Sequence, residues 1–309
     1  MKTCVLIYNP NSGHVFKTKY LKEYKNILIK NGYTPKFIAT CYRGHAKEII
    51  SHLEKVDLVI SMGGDGTFNE IVSGNLERKE PLIISHIPVG TTNDIGVMFG
   101  YGKDIKNNLK LLLKGCVKEM DICLINNQPF VYVAGFGKFM QVPYLTPRKL
   151  KKKYGYIAYI IEGIKDYFSP TKLYKITYEV NGITKTGYYS FILISNANRI
   201  AGINNFYRDV KLDDDKFEVL LCNFNRRKDI IKTFSLLMTV DATKVSGVEF
   251  YKTNNMKIEF EEYPKYSWCI DGEKLNRANL KYEIKNINKV KIMLPTKNIN
   301  KIFVNKKID

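Results

Sequence analysis

The strongest chemical pattern in the sequence is a glycine-rich loop that contains a carboxylate. Residues 63–70 read Gly-Gly-Asp-Gly-Thr-Phe-Asn-Glu, directly after the apolar run DLVISM and at the start of a helical pattern. Glycines let the backbone bring amide N–H groups close to a phosphate, and a helix N-terminus adds partial positive charge. An acid such as Asp65 suits this position if it helps to hold Mg²⁺, because a divalent cation reverses the local charge preference. The loop therefore predicts a phosphate and Mg²⁺ site.

Two further polar loops follow apolar runs in the same part of the chain. Residues 9–13 (NPNSG) follow CVLIY, and residues 90–94 (GTTND) follow PLIISHIPV. Each loop alone has the composition of an ordinary turn. The carboxyl ends of parallel strands share one edge of an open α/β sheet, so we expect the three loops to converge there. The GxxxxGK[ST] and GxGxxG patterns are absent, which excludes a Walker A loop and a Rossmann fingerprint.

The elements that must position these loops alternate strand-like runs with helical periodicity over the first 120 residues. From about Asp121 the pattern changes to alternating, β-branched and aromatic segments, interrupted by helical patterns near 154–168 and 228–240. We therefore expect an α/β N-terminal domain, with a mostly parallel sheet flanked by helices, over residues 1–120. A β-rich domain should follow over residues 121–295, and the tail, 296–309, is expected to return to the first domain.

Composition narrows the classes of partner. The chain has 49 Lys and Arg against 30 Asp and Glu, a formal net charge of +19, which favours nucleic acid, an acidic membrane surface or a phosphorylated substrate. Part of this excess has the Lys, Asn and Ile pattern of an AT-rich coding bias. No RRM, KH or helix-turn-helix signature supports nucleic acid. The six cysteines and four histidines lack metal-ligand spacing, which argues against a zinc site.

The sequence also predicts where the protein works. The N-terminus lacks the layout of a signal peptide, and no apolar run approaches the roughly 20 residues that span a bilayer. We expect a soluble or peripheral protein.

The four motifs NPNSG, GGDGTFNE, PVGTTND and a late DGE at residues 271–273, in this order, resemble those of the bacterial diacylglycerol kinase and lipid kinase family. That family shares its nucleotide-binding fold with sphingosine kinases and NAD kinases. The resemblance extends from Asn9 to Glu273 and implies an ATP- and Mg²⁺-dependent kinase that converts diacylglycerol to phosphatidic acid. The alternatives are a kinase for phosphatidylglycerol or a sphingoid base, an NAD kinase, a nucleic-acid-binding protein, and a catalytically silent lipid-binding relative. Intact Asp65 and Glu273 argue against the last.

The resemblance also implies roles for particular residues. Glu273 would be the general base, acting with Asp65, while Asp65, Asp94 and Asp121 would organise the catalytic Mg²⁺. Asp121 is an equally good candidate for a solvated residue at a strand start. The implied ATP contacts are Asn9, Pro10, Asn11, Ser12, Gly13, Thr40, Gly63, Gly64, Asp65, Gly66, Thr67, Phe68, Asn69, Glu70 and Thr91.

A second, structural Mg²⁺ is implied by the stretch KLDDDKF at residues 211–217, which resembles the LDDGxF segment of the family. The side chain of Asp214 and the carbonyls of Lys211 and Lys216 would hold it. Asp215 stands where the family usually has glycine, which puts the local turn in question. The alternative is a loop of three exposed acids.

Basic residues suggest a membrane partner. Residues 148–153 (RKLKKK) precede a helical pattern, and Lys297, Lys301, Lys306 and Lys307 lie near the C-terminus. Such runs are often solvated faces, but they would also dock on anionic headgroups. We expect a membrane lipid substrate at an anionic bilayer surface, no nucleic acid, and a cytoplasmic protein peripheral at the inner face of the membrane. A homodimer is compatible with the sequence, which locates no interface.

Overall fold

A computed structural model describes residues 1–12, 18–147, 149–150, 154, 156–204, 206–207, 209–224, 226, 228–230, 233, 248–275 and 278–304. The chain divides into two compact units. The first contains residues 1–120 and 289–309, and the second contains residues 121–288. The sequence placed the return of the chain at residue 296. The structure starts it at Lys289 because the end of one long strand already pairs within the first unit.

The first unit is built on a parallel sheet. Its strands are β1 (Lys2–Tyr8), β2 (Tyr33–Ala39), β3 (Leu58–Gly63) and β4 (Ile84–Pro88), in the order β2-β1-β3-β4. The end of the last strand of the chain, β18 (Lys281–Leu294), adds to β4 in parallel. Every residue of β3 and β4 is buried, as expected where both faces of a sheet are covered.

Helices follow the strands of this unit in turn. They are α1 (Thr18–Lys30), α2 (His45–Ser51), α3 (Asp65–Leu76), α4 (Asp94–Met98) and α5 (Ile105–Leu113), with a 3₁₀ turn (Thr296–Asn298) and a short terminal helix (Ile299–Ile302). The buried faces of α3 and α5 carry apolar residues at helical spacing, such as Phe68, Ile71 and Val72 on α3. The predicted α/β N-terminal domain is confirmed.

The second unit is β-rich, as predicted. Its elements are β5 (Cys116–Ile125, which begins in the first unit), β6 (Gln128–Phe130), β7 (Val133–Gly137), α6 (Val142–Leu145), α7 (Tyr156–Phe168), β8 (Tyr174–Val180), β9 (Ile183–Tyr189), β10 (Phe191–Ser195), β11 (Arg199–Ile200), β12 (Ile203–Asn204), β13 (Phe217–Cys222), β14 (Val248–Thr253), β15 (Asn255–Phe260), β16 (Cys269–Ile270) and β17 (Glu273–Lys274). Most of the helix expected at 228–240 lies outside the described residues.

Two larger antiparallel sheets form most of the described part of this unit, and β11 and β12 form a small third one. One has the order β14-β13-β10-β7-β16-β17, and the other joins β18, β15, β8 and β9. Aromatic rings fill their shared core, with Phe136 4.8 Å from Phe260 and Trp268 5.3 Å from Tyr282 between ring centroids. Edge-to-face and tilted ring pairs of this kind stabilise a core beyond the area they bury. Among the described residues, no helix combines the length and apolar character needed to span a bilayer.

Candidate functional site

Backbone hydrogen bonds tie the loops of the first unit to neighbouring strand ends. The amide of Asn9 donates to a carbonyl of β3 at 3.1 Å, and that of Thr40 donates to Tyr8 at 2.8 Å. On the other side, the amide of Val89 donates to Gly63 at 2.8 Å. The structure thus places the expected loops, and Thr40, along one edge formed by the carboxyl ends of β2, β1, β3 and β4.

The glycines of this edge allow two loops to touch backbone to backbone. A Cβ atom on Gly90 would lie 2.7 Å from the Cα of Gly64, closer than real Cβ atoms come to other atoms. A Cβ atom on Gly63 would lie 2.5 Å from the Oγ1 of Thr67. Gly90 is therefore required for the close approach of the two loops, and Gly63 for the packing of Thr67.

Asp65 links the glycine-rich loop to the next loop of the edge. It is the first residue of α3, and its carboxylate accepts hydrogen bonds from the amides of Asp94 at 3.1 Å and Ile95 at 3.3 Å. These amides form the first turn of α4, where a carboxylate is favoured. Asp94 itself is buried. The two residues to which family resemblance assigns one Mg²⁺ are thus linked through the backbone amide of Asp94.

The loop at residues 9–12 is held by its first residue. The side-chain oxygen of Asn9 accepts from the amide of Asn11 at 2.9 Å, and its carbonyl accepts from the amide of Ser12 at 3.0 Å. This is the Asx-type turn that Asn commonly forms. Pro10 and Asn11 are exposed, as is Thr91 in the loop after β4. Gly13 lies outside the described residues, so its expected ATP contact stays a prediction.

Two side chains of the glycine-rich motif serve the fold. Phe68 has no exposed surface and stacks on His86 with 4.8 Å between ring centroids. Its side chain belongs to the core, so only the backbone of Phe68 could contact a nucleotide, and the expected ATP contact stays a prediction. Glu70 accepts from the amides of Gly44 at 2.9 Å and Ala46 at 3.2 Å, so it caps the start of α2. No local spacing in the sequence indicates this contact, because the partners lie 24 and 26 residues away.

In the second unit, the DGE tripeptide forms a tight hairpin between β16 and β17. Asp271 and Gly272 both have positive φ, 47° and 85°, which is typical of a two-residue type I′ turn. Glu273 is the first residue of β17, opposite Ile270, and it is exposed. The hairpin therefore presents the Glu273 carboxyl group at the surface of the second unit.

Asp271 has a role that sequence reasoning missed. It is buried, and its carboxylate accepts from the amides of Val131 at 2.7 Å, Tyr132 at 3.1 Å and Val133 at 3.0 Å. Hydrogen bonds to an ionised acceptor are about twice as strong as those between neutral groups. Asp271 thus fixes the hairpin that carries Glu273 to the start of β7. The Asp-Gly pair was a usable hairpin signal, but its partners are about 140 residues earlier.

Asp121 organises the acidic loop at residues 213–215. It is fully buried, and its carboxylate accepts from the amide of Asp215 at 2.7 Å, while its own amide donates to Leu212 at 2.7 Å. The alternative of a solvated residue at a strand start is therefore wrong. Asp215 has a φ of 61°, so this position does require the left-handed conformation that glycine adopts freely. Aspartate is one of the few other residues that tolerates it.

Comparisons with known proteins agree with this geometry. The sequence model of the diacylglycerol kinase catalytic domain matches residues 3–125. A diacylglycerol kinase of Bacillus subtilis (strain 168) is 29% identical over 278 residues, covering 88% of this chain and 90% of the relative. One of Staphylococcus aureus (strain MRSA252) is 31% identical over 278 residues, covering 88% of this chain and 86% of the relative. The chain belongs to the diacylglycerol kinase family.

A solved structure shows the same fold. The crystal structure of a putative diacylglycerol kinase from Bacillus anthracis str. Sterne superimposes with a TM-score of 0.78 and 22% identity, covering 96% of this chain and 98% of that chain. The predicted family and fold class are both confirmed.

The diacylglycerol kinase family implies a structural Mg²⁺ at Asp214. In this chain, Lys252 contacts Asp214 instead. The Nζ of Lys252 lies 2.7 Å from the Oδ2 of Asp214 and 3.3 Å from the Oε1 of Glu218. It also donates to the carbonyl of Asp209 at 3.1 Å. An ammonium group has three donors, and each has an acceptor here. Burial raises the pKa of Glu218 to about 7, against the opposing effect of Lys252.

These contacts do not fit a bound Mg²⁺ at Asp214. The other oxygen of Asp214 accepts from the amide of Lys216 at 3.2 Å, and Oδ2 is paired with an ammonium group. Within the described residues, no group of three or more His, Cys, Asp and Glu side chains could hold a metal ion, a result that also covers Asp65 and Asp94. The expected ligand set of Asp214 with the carbonyls of Lys211 and Lys216 is therefore not supported, because an ammonium already neutralises the carboxylate.

Proposed function

We propose that this protein transfers the γ-phosphate of ATP to the hydroxyl group of diacylglycerol and yields phosphatidic acid. The observation that carries the proposal is the strand-end edge of the first unit. There the GGDGT loop touches the loop after β4 backbone to backbone, and Asp65 joins the two. Membership of the diacylglycerol kinase family supports the same reaction.

The first unit supplies the groups that a nucleotide requires. The loop at residues 9–12, the start of α3 and the exposed Thr91 lie at the ends of neighbouring parallel strands. Ligands of open α/β sheets bind outside these strand ends. Backbone amides around Gly64 and Gly90 would bind the phosphates, since amides at a helix N-terminus favour anions. ATP rather than another nucleotide rests on the family.

Asp65 and Asp94 are the residues of this unit that would contribute to a catalytic Mg²⁺ site, a role that rests on family resemblance. Both lie at helix starts, the backbone amide of Asp94 donates to the Asp65 carboxylate, and carboxylate oxygen is the ligand type that Mg²⁺ prefers. A bound Mg²⁺ would neutralise charge on the β- and γ-phosphates. Family resemblance adds Asp121 as a third acid of this proposal.

Glu273 is the proposed general base. The lipid hydroxyl oxygen attacks the γ-phosphorus, the bond from that phosphorus to the β–γ bridging oxygen breaks, ADP leaves, and Glu273 takes the hydroxyl proton. The carboxyl group is exposed on a hairpin that Asp271 holds rigidly, so a substrate hydroxyl can reach it. Such a base contributes typically about 10²–10⁴-fold in rate.

The proposed acceptor lies in a membrane. The net charge of +19 favours an anionic bilayer surface, which matches a peripheral enzyme at the inner face of the cytoplasmic membrane. Electrostatic attraction of this kind is reversible and weakens with salt.

The test is transfer of labelled γ-phosphate from ATP, with and without Mg²⁺, to diacylglycerol, phosphatidylglycerol and a sphingoid base in mixed micelles. NAD serves as a parallel acceptor. Glu273→Ala is compared with Glu259→Ala, a matched change at an exposed strand residue of the same unit.

Label in phosphatidic acid that Glu273→Ala removes and Glu259→Ala retains would support both the reaction and the base. Label in another lipid would change the substrate and keep the mechanism. Label on NAD, or no transfer to any acceptor by folded protein, would refute the lipid kinase proposal.

A further inference from the structure

Helix α7 of the second unit presents an apolar stripe to solvent. Ile157, Ile161, Ile164 and Phe168 are spaced by four, three and four residues, so they lie on one face of the helix. Between 43% and 59% of each residue's surface is exposed. Single exposed apolar residues are ordinary, but an aligned row of four on one helix is a contiguous patch, which typically marks an interaction surface.

The helix is held in place without this stripe. At its C-terminal end the Nζ of buried Lys138 donates to the carbonyls of Asp166 and Ser169. The carboxylate of Asp166 accepts from the amide of Phe139 at 2.6 Å. About a quarter turn around the helix from the stripe, Ala158 is buried. These polar contacts and the buried Ala158 anchor the helix, so the exposed surface of the stripe is not needed to hold it in place.

The charge around the stripe indicates what covers it. Of the two acids on α7, Glu162 is mostly buried and pairs with the exposed Lys165 at 2.6 Å, and Asp166 is only partly exposed. The segment before the helix, residues 148–153, has five basic residues in six, of which Lys149 lies within the described part of the chain. A second copy of the protein carries the same net charge of +19, which disfavours its approach, whereas an anionic bilayer has the complementary charge.

We propose that the apolar stripe of α7 inserts into the interface of an anionic bilayer, with Lys149 and Lys165 at the headgroups. An interfacial helix of this type lies in the membrane plane with its apolar side chains among the acyl chains. The inference rests on the proposed function, because it places the kinase on the surface that contains its lipid acceptor.

The test uses the full chain and vesicles of phosphatidylcholine with or without phosphatidylglycerol. The double variant Ile161→Gln with Phe168→Gln is compared with Tyr20→Gln with Ile29→Gln, which changes two exposed apolar residues of the equally long helix α1. We expect the α7 variant to lose about tenfold or more in partitioning onto anionic vesicles, because apolar side chains no longer enter the bilayer. The α1 variant and the melting temperatures of both should match those of the wild type.

Activity separates this inference from the proposed function. Phosphorylation of diacylglycerol in vesicles should fall with vesicle binding, while that of a short-chain diacylglycerol in solution should not. Wild-type protein that binds no anionic vesicles, or an α7 variant that binds as well as the wild type, would overturn the inference. So would an α7 variant that changes only the sedimentation coefficient, because a second copy would then cover the stripe. Stripe-dependent binding without kinase activity would support the surface and refute the function alone.

A second inference comes from the ion pairs of the acidic loop. We infer that the ammonium of Lys252 replaces the structural Mg²⁺ of the family in this chain, so that the loop needs no metal. Lys252 projects from β14, and it contacts the carboxylates of both Asp214 and Glu218. A lone carboxylate in the buried position of Glu218 requires a compensating charge, and here the chain provides it.

Thermal unfolding without nucleotide, in chelator or in millimolar Mg²⁺, tests this inference. The wild type should melt at the same temperature in both. Lys252→Met should melt lower by roughly 5 °C or more in chelator and recover in Mg²⁺, because uncompensated acids are left for the metal to bind. Lys252→Arg retains the charge and should show no Mg²⁺ effect.

The control is Lys257→Met, which removes an exposed ion pair with Glu179 and should leave melting unchanged. An unaltered melting temperature for Lys252→Met would overturn the inference. If that variant does not fold, calorimetry on the wild type decides. Mg²⁺ binding that Asp214→Asn abolishes would show a metal at the loop and overturn the inference, and its absence would support it.

Discussion

Carboxylates accept backbone hydrogen bonds in both units, but the sequence separation between acceptor and donor differs. It is short at the strand-end edge of the first unit and long at the DGE hairpin and the acidic loop of the second. In the first, Asp65 accepts from amides 29 and 30 residues away, across neighbouring strands. In the second, Asp271 holds amides 138 to 140 residues earlier, and Asp121 holds the amide of Asp215, 94 residues later. The first arrangement can be predicted because both loops end neighbouring parallel strands, whereas the second depends on the tertiary fold.

The largest effect should come from the two acids of the DGE hairpin, which have opposite roles. Asp271→Ala leaves three buried amides without their acceptor, so we expect a loss of about 3 kcal/mol or more in the free energy of unfolding. Glu273→Ala changes an exposed side chain and should stay within about 0.5 kcal/mol of the wild type. Urea unfolding followed by circular dichroism measures both.

The two variants should also separate in activity. Glu273→Ala is expected to lose roughly 10²–10⁴-fold in kcat while it remains folded. An Asp271→Ala protein as stable as the wild type would show that this carboxylate is not structural, and the contrast between the two regions would then narrow.

This contrast explains how much of the molecule sequence reasoning predicted. The alternation of strands and helices and the convergence of the loops at strand ends depend on local patterns and on one rule of sheet topology. The hydrogen bonds of Asp65 to the first turn of α4 were not predicted. Phe68 belongs to the same contiguous motif, yet it is a core residue. A sequence motif therefore contains residues that bind a ligand and residues, such as Phe68, that pack the loop against the core.

The rest of the candidate site depends on contacts that no local pattern encodes. The pairing of Asp214 with Lys252 joins an acidic loop to β14, and the burial of Asp121 depends on its place in the second unit. Resemblance to the family implied a metal at Asp214. The short motif could not show that Lys252, from another strand, contacts this carboxylate. In contrast, the left-handed conformation at Asp215 follows the family pattern despite the different residue.

An intermediate effect is expected at the backbone contact of the first unit. Gly90→Ala places a methyl group 2.7 Å from the Cα of Gly64, so the two loops must separate. We expect a loss of about 1–3 kcal/mol in the free energy of unfolding, typical of overpacking. ATP binding, measured by calorimetry, should weaken about tenfold, which corresponds to about 1.4 kcal/mol.

Gly102→Ala is the matched control for this change. A Cβ atom on Gly102 meets no atom within 4 Å, so stability and ATP binding should both stay close to the wild type. If Gly90→Ala retains full ATP affinity, the edge does not bind phosphates through its backbone. If both variants are equally weakened, the effect arises from loss of glycine flexibility and not from the contact.

The smallest effect concerns the buried histidine beneath the glycine-rich motif. Burial lowers the pKa of His86 to about 3, from the ordinary value of 6.5. Between these values the unfolded chain binds a proton that the folded chain does not, so stability falls as the pH falls below 6.5. From pH 7 to pH 5.5 the wild type should therefore lose about 1 kcal/mol more than His86→Leu, in which every other titratable group is retained.

The outcome bears on how the motif is anchored, because the ring of His86 supports Phe68 of that motif. Unfolding free energies at the two pH values, measured for both proteins, isolate the contribution of His86 as a difference of differences. Equal losses in the two proteins would mean that the histidine is protonated without cost. The core beneath the glycine-rich loop would then be accessible to water, and the stacking of Phe68 on His86 would not hold the loop rigidly.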